Sequence, residues 1–276
     1  MSAPDRYAVF GHPVGHSRSP GLHARFAELT GQLITYEAID VPPDGFAAAL
    51  ERFLATGGKG LNITVPHKLA AFDAADVLTP RAQHAGAVNT LALQAHGLLG
   101  DNTDGAGLLR DLQHNLEIPL AGRRILLVGA GGAARGVLGP LLGAEPAVVV
   151  IANRSPRRAE ELATRFASDG PVSGIALDGA QDTFDLVINA TSASLSDEVP
   201  ALDTRIIGAR TFCYDLAYGT GLTAFLRWAS AHGCAAVADG LGMLVEQAAE
   251  SFELWRGVRP PTAQVLTELR DAMARP

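Results

Sequence analysis

Short apolar runs alternate with longer amphipathic segments along the chain, and this alternation predicts a succession of strands and helices. Ser19-Pro20 is typical of a helix start, and Gly31 of a helix stop. A β-α-β-α-β order favours a parallel sheet whose ligand-binding loops lie at the carboxyl ends of its strands. The elements predicted in this first part are strands at Tyr7–Gly11, Leu33–Val41 and Gly60–Val65, and helices from Ser19 to Gly31 and at Pro43–Thr56.

The pattern changes after this first sheet. Val88–Leu93 and Gly97–Gly100 flank a turn-like tripeptide and predict a hairpin at the edge of the sheet. The polar cluster Asp101–Gly105 then opens a helix that ends near Leu116. Further predicted elements are strands at Arg124–Val128, Ala147–Ala152, Pro171–Ala176, Phe184–Asn189 and Arg210–Asp215, and helices at Ser155–Phe166, Leu241–Trp255 and Pro261–Met273.

These elements predict an α/β protein with two domains. The first is an α/β domain with a mostly parallel sheet, formed by residues 1–103 and completed by 241–276. The second, residues 104–240, is a Rossmann-type domain inserted between the two parts of the first. A chain of 276 residues is long enough for two ordinary cores.

A glycine-rich turn marks the nucleotide site of the second domain. After the apolar run Arg124–Val128, the sequence follows the G-x-G-x-x-G/A pattern, in which Gly129 permits a tight turn and Gly131 lets backbone N–H groups approach a pyrophosphate. A small third residue, Ala134, lets the following helix pack closely, and its N-terminus suits an anion. The chain has 30 glycines, so the pattern alone also fits a simple strand-to-helix turn.

The end of the next strand distinguishes the two nicotinamide cofactors. Ala147–Ala152 leads into Asn153-Arg154-Ser155, and no carboxylate stands where one would bind a free ribose 2′-hydroxyl. Guanidinium groups favour a 2′-phosphate instead, so the sequence predicts NADP(H). Arg157 and Arg158 also fit a solvated helix face.

Composition and charge exclude several kinds of partner. The net charge is −7 and no long cationic run occurs, which disfavours nucleic acid and anionic membranes. The start Met1–Arg6 lacks the pattern of a signal peptide, and no apolar stretch approaches the length of a membrane span, so we expect a cytoplasmic protein. Cys213 and Cys234, the only cysteines, lie in apolar runs and are expected to be buried free thiols.

Polar residues gather where the first strands end. They are Ser17, Ser19, Asn62, Thr64, Asn89 and Lys68. Hydroxyl and amide groups suit a small polyhydroxylated molecule. Lys68 and Asp104 form the one acid/base pair that can be assembled; the ammonium can give a proton to a carbonyl oxygen as hydride arrives. Taken singly, Lys68 also fits a solvated helix residue and Asp104 a helix N-cap.

Two other chemistries are disfavoured. His12, His16 and His67 lie in these loops, but they lack the helical spacing of a zinc site and no acidic residue or cysteine joins them, so no metal is predicted. Ser17 beside His16 could indicate a hydrolase, but it has no G-x-S-x-G elbow.

Eight motifs in order, spread over nearly all of the chain, resemble the shikimate dehydrogenase family. The motifs are Gly11–Pro20, Asn62–Lys68, Gly86–Thr90, Asp101–Gly105, Gly129–Gly136, Asn153–Ser155, Asn189–Ser192 and Asp239–Ala248. The resemblance implies reversible reduction of 3-dehydroshikimate to shikimate by NADPH, within the biosynthesis of chorismate and aromatic amino acids. It implies a small-molecule substrate, and we expect a monomer or homodimer.

The resemblance also implies a role for particular residues. Lys68 and Asp104 would be the catalytic pair. Ser17 and Ser19 would hold the substrate carboxylate, with Tyr218 nearby. The residues implied for the substrate hydroxyls are Asn62, Thr64, Asn89, Asp104 and Gln247. The residues implied for NADP(H) are Gly129, Ala130, Gly131, Gly132, Ala133 and Ala134 at the pyrophosphate, Asn153, Arg154, Ser155 and Arg158 at the adenosine phosphate, and Thr191, Leu216 and Gly240 at the nicotinamide.

Three positions depart from the family pattern. Ser155 replaces a more frequent threonine and keeps its hydroxyl. Ala193-Ser194-Leu195 stands where many relatives have a Gly-Met pair, which concerns the fit around the nicotinamide. The loop after Tyr218 lacks a common proline, which affects loop stiffness.

Two alternatives to this prediction stay open. A quinate/shikimate dehydrogenase of the same superfamily would often accept NAD and carry an acidic residue after the second strand, where this chain has Arg154. A non-catalytic NADP-binding sensor would have no need of both Lys68 and Asp104.

Overall fold

The computed structural model describes residues 3–274, which divide into two compact units. The first unit runs to Gly107 and includes 245–269, and the second comprises 108–244 and the chain from Arg270. The divisions fall after Gly107 and after Leu244, a few residues beyond the predicted boundaries of 103/104 and 240/241. A further division after Leu269 groups the end of the segment predicted for the first domain, 241–276, with the second unit.

The first unit is built on a mixed six-stranded sheet. Its elements are β1 Asp5–Gly11, α1 Ser19–Thr30, β2 Ile34–Asp40, α2 Phe46–Ala55, β3 Gly58–Ile63, α3 Lys68–Ala74, β4 Val77–Leu78, α4 Pro80–Ala85, β5 Thr90–Gln94, β6 Gly97–Asp101 and the start of α5 Asp104–Arg110. The strand order is β2-β1-β3-β5-β6-β4. Strands β2, β1 and β3 are parallel, β3, β5 and β6 are antiparallel neighbours, and β4 is parallel to β6.

The predicted hairpin is therefore confirmed, but its predicted place at the edge of the sheet is wrong. Leu93 and Leu98 face each other across β5 and β6, yet β4 pairs with β6 outside the hairpin. A strand of two residues, Val77–Leu78, is too short to leave a period-2 pattern that sequence analysis can detect.

Local sequence explains how α1 is bounded. Pro20 lies in its first turn, where a missing N–H costs nothing, and Gly31 ends it in the left-handed region at φ 65. The N–H of Gly31 bonds to the carbonyl of Glu28, so the last turn is closed by the backbone.

Apolar side chains cover the first sheet. One cluster packs Phe10 against Phe46 and Phe53. On α9, which spans Leu241–Arg256, Trp255 stacks on Tyr7 at 4.6 Å between ring centroids and Phe252 packs on Phe26 at 5.7 Å. Burial of several aromatic rings supplies much of the stability of such a unit.

The second unit is a doubly wound sheet. Its elements are the π-helical turn Asp111–Asn115, β7 Arg124–Val128, α6 Gly132–Gly143, β8 Val148–Asn153, α7 Pro156–Arg165, β9 Val172–Ala176, β10 Leu186–Asn189, β11 Phe212–Asp215, α8 Ala224–Ala231 and β12 Ala236–Asp239. Short 3-10 turns lie at Leu177–Gly179, Ala193–Ser196 and Thr204–Ile206. The last helix, α10 Thr262–Ala274, belongs to the first unit up to Leu269 and to the second unit from Arg270.

All neighbouring strands of this second sheet are parallel, in the order β12-β11-β10-β7-β8-β9. Chain order runs outward in opposite directions from β7, so β7 and β10 border the crevice in which such sheets bind ligands. Ile125 and Leu127 join the core on one face of the sheet, while Leu126 and Val128 join the core on the other. Both faces are covered, as an all-parallel sheet requires.

Three further predictions concern membranes and thiols. Among residues 3–274, no helix is long and apolar enough to cross a membrane. Both cysteines are free; Cys213 is buried as predicted, whereas Cys234 is half-buried because it lies in the turn before β12. Burial raises the pKa of the Cys213 thiol, with the neighbouring Cys234 adding to the effect.

Candidate functional site

Lys68 and Asp104 form an ion pair in the first unit. Lys68 begins α3 just after β3, and Asp104 begins α5 just after β6. The Lys68 ammonium lies 2.5 Å from Asp104 Oδ2, and only 13% and 7% of the two side chains are exposed. The carboxylate therefore holds the ammonium in place. Both members of the predicted pair lie within the first unit.

Asn89 connects this pair to its surroundings. Its Nδ2 donates to Asp104 Oδ1 at 2.8 Å and to Thr103 Oγ1 at 2.9 Å, and Gln247 Oε1 lies 3.3 Å away. Its Oδ1 accepts hydrogen bonds from the Thr103 backbone N–H and from the Thr90 hydroxyl. Asn89, Asp104 and Gln247, all predicted site residues, therefore meet beside Lys68.

Asn62 extends the same network toward β2. Its Nδ2 donates to Ser251 Oγ at 2.9 Å and to Thr90 Oγ1 at 3.2 Å, and its Oδ1 accepts from the Tyr36 hydroxyl at 2.8 Å. Asn62 is only 6% exposed. Most of its hydrogen-bonding capacity is thus met by the protein.

Two stacked aromatic residues, Tyr36 and His23, lie next to this network, and Tyr36 is hydrogen-bonded to Asn62. Burial raises the pKa of Tyr36 well above 10, and a hydrogen bond with Ser19 partly offsets it, so the phenol stays a donor. His23 stacks on Tyr36 at 4.2 Å with an interplanar angle of 7°. Burial lowers the pKa of His23 to about 3, an effect that Asn62 partly offsets, and within residues 3–274 neither ring nitrogen has a partner of good hydrogen-bonding geometry.

Ser17 and Thr64 lie in loops of the first unit, and Ser19 is the first residue of α1. Ser17 Oγ accepts from the backbone N–H of Ser19 at 3.3 Å, and Ser19 is buried. Thr64 follows β3 and its N–H bonds to the carbonyl of Phe10. A Cβ at Gly11 would collide with the Thr64 methyl group, so glycine there permits Thr64 its position.

The glycine loop of the second unit has the geometry that the motif predicts. Gly129 has φ 114, in the region that glycine tolerates, and a Cβ there would lie 3.0 Å from the Ala190 carbonyl oxygen. Gly131 is the residue before α6 and makes no side-chain cap. A Cβ on Gly131 would meet nothing within 4 Å, so space for a ligand adjoins the first turn, Gly132–Ala134.

The end of β8 carries the predicted basic corner. Asn153 Nδ2 donates to the Ser155 carbonyl at 3.0 Å, which shapes the turn into α7. Arg157 forms an ion pair with Glu161 at 3.2 Å, typical of a solvated helix face. Arg154 and Arg158 are exposed and have no ion-pair partner in the described part of the chain. Arg157 thus fits the alternative offered by the sequence, whereas its two neighbours can pair with a ligand.

The residues predicted for the nicotinamide come together at neighbouring strand ends. Leu216 N–H bonds to the Asn189 carbonyl, which joins the ends of β11 and β10. A Cβ on Gly240 would strike the Leu216 carbonyl oxygen, so glycine is required after β12. Thr191 donates to Asn189 Oδ1 at 2.7 Å. Tyr218 lies in this second unit, whereas the serines with which it was grouped lie in the first.

The described residues contain no group of three or more His, Cys, Asp or Glu side chains that could hold a metal ion. His12 lies 2.9 Å from Asp40 Oδ2, so an acidic residue does join this histidine, contrary to the sequence analysis. His67 is buried with Nε2 2.7 Å from the Val41 carbonyl oxygen. Both histidines therefore have structural partners.

Four residues of the hydrogen-bond network around Asn62 and Asn89 were not predicted from the sequence, namely Tyr36, Thr90, Thr103 and Ser251. Thr90 and Thr103 stand inside motifs that were recognised, and Ser251 lies four residues after Gln247, which places both on one face of a helix. Tyr36 carried no signal, because its contact with Asn62 joins strands separated by β1.

Three family models match successive parts of the chain. They are the shikimate dehydrogenase substrate binding domain at residues 9–91, shikimate / quinate 5-dehydrogenase at 111–198, and the shikimate 5′-dehydrogenase C-terminal domain at 240–270. A curated relative from Aromatoleum aromaticum, shikimate dehydrogenase (NADP(+)), is 57% identical over 272 residues, which cover 96% of this chain and 97% of the relative.

Solved structures are similar over the same length. An Ael1 enzyme from Pseudomonas putida is 47% identical with a TM-score of 0.88, covering 96% of this chain and 98% of its own. Shikimate 5-dehydrogenase from Thermus thermophilus, solved with NADP(H) and shikimate, is 36% identical with a TM-score of 0.85, covering 97% and 99%.

Proposed function

Because the chain belongs to the shikimate dehydrogenase family, we propose that it catalyses the reversible NADPH-dependent reduction of 3-dehydroshikimate to shikimate. The observation that carries this proposal is the buried Lys68–Asp104 ion pair inside a cluster of amides and hydroxyls. An ammonium group held this way can donate a proton to a ketone oxygen. The surrounding amides and hydroxyls can bind a hydroxylated ring.

The second unit is proposed to hold NADP(H). The open space at Gly131 and the uncapped N-terminus of α6 support a pyrophosphate there, bound by residues from Gly129 to Ala134. Arg154 and Arg158, exposed and without an ion-pair partner in the described range, support binding of the 2′-phosphate together with Asn153 and Ser155. Thr191, Leu216 and Gly240 are proposed to line the nicotinamide. When bound, the cofactor supplies or accepts the hydride.

Lys68 is proposed to move the proton. During reduction its Nζ donates a proton to the ketone oxygen as negative charge develops there, and during oxidation neutral Nζ accepts the hydroxyl proton. Asp104 holds Nζ through Oδ2 and is itself fixed by Asn89 through Oδ1. An ammonium group that is already held in place can stabilise the negative charge developing on the ketone oxygen without first being reoriented.

The other predicted residues are proposed to choose and orient the substrate. Asn89 contacts Asp104 and Gln247, so these two amides can bind ring hydroxyls beside the ion pair. Asn62, whose Nδ2 lies 3.4 Å from the Asn89 carbonyl oxygen, and Thr64 are proposed to bind further hydroxyls. Ser17 and Ser19 are proposed to bind the carboxylate, together with Tyr218. A site that matches hydroxyls with buried amides rejects analogues that leave these groups unpaired.

A direct assay tests this proposal. Purified protein is mixed with NADP⁺ and either shikimate or quinate, and nicotinamide absorbance is followed. We expect rapid reduction with shikimate and slow reduction with quinate. Comparable rates would favour a quinate/shikimate dehydrogenase, which the name of one matching family model also allows. Absence of turnover with both would favour a binding protein.

We propose a cytoplasmic location, in keeping with a biosynthetic role, and a monomer or homodimer that binds a small molecule rather than nucleic acid. Cell fractionation and light scattering of the purified protein test these expectations.

A further inference from the structure

A buried hydrogen-bond network at the ends of β10 and β11 has no part in the chemistry described so far. At its centre is Asp215, which is 0% exposed. Asp215 Oδ2 accepts hydrogen bonds from Ser194 Oγ and Thr223 Oγ1, both at 2.6 Å. Oδ1 accepts from Asn189 Nδ2 at 3.2 Å and from the Ala217 backbone N–H at 3.1 Å.

This network fixes two loops to each other. Asn189 also donates to Ser194 Oγ at 3.1 Å, and its Oδ1 accepts from the backbone N–H and the hydroxyl of Thr191. Ser194 belongs to the loop after β10, while Ala217 and Thr223 belong to the loop after β11. One carboxylate thus joins both loops.

The position of these loops relates them to the cofactor. Strand β8, which ends at the basic corner, lies on one side of β7, and β10 and β11 lie on the other. A dinucleotide that crosses at the switch point with its adenosine half above β8 has its nicotinamide half above β10 and β11. The strand order therefore predicts that the carboxylate network underlies the nicotinamide half of a bound cofactor.

We infer that Asp215 and Ser194 are positioning residues for the nicotinamide half of the cofactor. This inference rests on the proposed function. Asp215 holds Asn189, and through it Thr191, while its bond to Ala217 sets the path of the chain just after Leu216. Thr191 and Leu216 are the residues proposed to line the ring, so the network would set the angle and distance of hydride transfer.

A carboxylate suits this task because it can accept several strong hydrogen bonds at once. Its two oxygens accept from four donors here, two to each oxygen. Loss of one donor leaves a buried lone pair unsatisfied, which loosens the loop that carried the donor. The adenosine corner, built on β8 and α7, shares none of these four bonds.

The test is to remove one hydroxyl and measure each half of the cofactor separately. The variants are S194A and D215N, with S194T as the conservative variant that keeps the hydroxyl. Ser196, exposed in the same 3-10 turn, provides the matched control S196A. Affinity for 2′,5′-ADP reports the adenosine half, and kcat for shikimate oxidation reports placement of the ring.

We expect S194A to lower kcat about tenfold and D215N by more, because small misplacement of reacting atoms is costly. We expect 2′,5′-ADP affinity to change less than about twofold, S194T to recover most of the activity, and S196A to match wild type. A purely structural role would lower the melting temperature and weaken 2′,5′-ADP binding together. Circular dichroism and melting curves separate folding failure of D215N from the effect in S194A.

Two outcomes would overturn the inference. One is wild-type kcat in a folded S194A or D215N, and the other is an equal loss of 2′,5′-ADP affinity and kcat. If the wild-type protein binds NADPH but turns over neither shikimate nor quinate, the proposed function fails and the inference fails with it. If wild type is active and the folded variants are unchanged, only the inference fails.

Discussion

The cluster around Lys68 in the first unit and the corner around Arg154 in the second use charge in opposite ways. In the cluster, the ammonium and the carboxylate are paired, mostly buried and held by neighbouring amides. At the corner, Arg154 and Arg158 are exposed and have no ion-pair partner within residues 3–274. We propose that the protein itself holds the charges of the cluster in place for catalysis, whereas the charges of the corner are left to pair with the 2′-phosphate of the cofactor.

The largest expected effect comes from Lys68. Lys68→Gln keeps a donor for Asp104 but cannot supply a proton at neutral pH, so we expect kcat to fall about 10²–10⁴-fold. Lys68→Ala also leaves a buried carboxylate unpaired and should lower stability as well. Steady-state kinetics with shikimate and NADP⁺ measures kcat, and calorimetry measures shikimate binding.

Lys59, the only other lysine, is exposed and provides the control Lys59→Ala. It should match wild type. Near-wild-type kcat in Lys68→Gln would remove the acid–base role from the cluster, and the comparison with the corner would lose its meaning.

The second effect concerns cofactor choice. Arg154→Ala removes a guanidinium group proposed to bind the 2′-phosphate, so we expect KM for NADP⁺ to rise about 10–100-fold while KM for NAD⁺ changes little. Arg157→Ala is the matched control, because Arg157 already pairs with Glu161. Equal effects of the two substitutions, or a parallel change with NAD⁺, would contradict the assignment of the corner.

The third effect tests whether the aromatic side chains next to the cluster are buried. His23 has a pKa of about 3 in the folded protein, below the ordinary value of 6.5, because burial favours the neutral ring. The unfolded chain therefore binds more protons between these values, and stability contributed by neutral His23 is lost as pH falls below about 6, by up to about 1.4 kcal/mol per pH unit.

Urea titrations at pH 7, 6 and 5 measure this dependence. His23→Phe should remove that component of the slope, while exposed His96→Phe should leave it unchanged. If wild type and His23→Phe lose stability in parallel with acid, His23 is not buried as described.

The smallest effect concerns Tyr36. Tyr36→Phe removes the hydrogen bond to Asn62 and leaves the buried Asn62 Oδ1 one donor short, so the free energy of unfolding should fall by about 1–2 kcal/mol. Tyr7 lies on β1 of the same sheet, and its hydroxyl is 3.3 Å from Arg256 of α9. Tyr7→Phe is therefore a control that should leave KM for shikimate unchanged. A Tyr36→Phe protein as stable as wild type would show that Asn62 needs no support from β2.

Sequence alone could predict the elements that follow local rules. The glycine loop, the basic strand end and the Lys68–Asp104 pair were predictable because each has a motif with a physical reason. Tyr36 and the Asp215 network were not, since their bonds connect residues that are distant along the chain. The outer strand β4 was not predicted because a strand of two residues shows no periodicity. The sequence left open whether Arg157 binds the cofactor or lies on a solvated helix face, and its ion pair with Glu161 in the structure favours the solvated face.

Transfer of deuterium from the cofactor to the substrate is the decisive measurement for the proposed reaction. NADPH carrying deuterium at the transferable position of its ring is incubated with 3-dehydroshikimate and the protein, and the product is analysed by mass spectrometry. We expect wild type to form shikimate with one deuterium on the carbon that carried the ketone, and Lys68→Gln to form almost none. Unlabelled shikimate, or oxidation of the cofactor without shikimate formation, would contradict it.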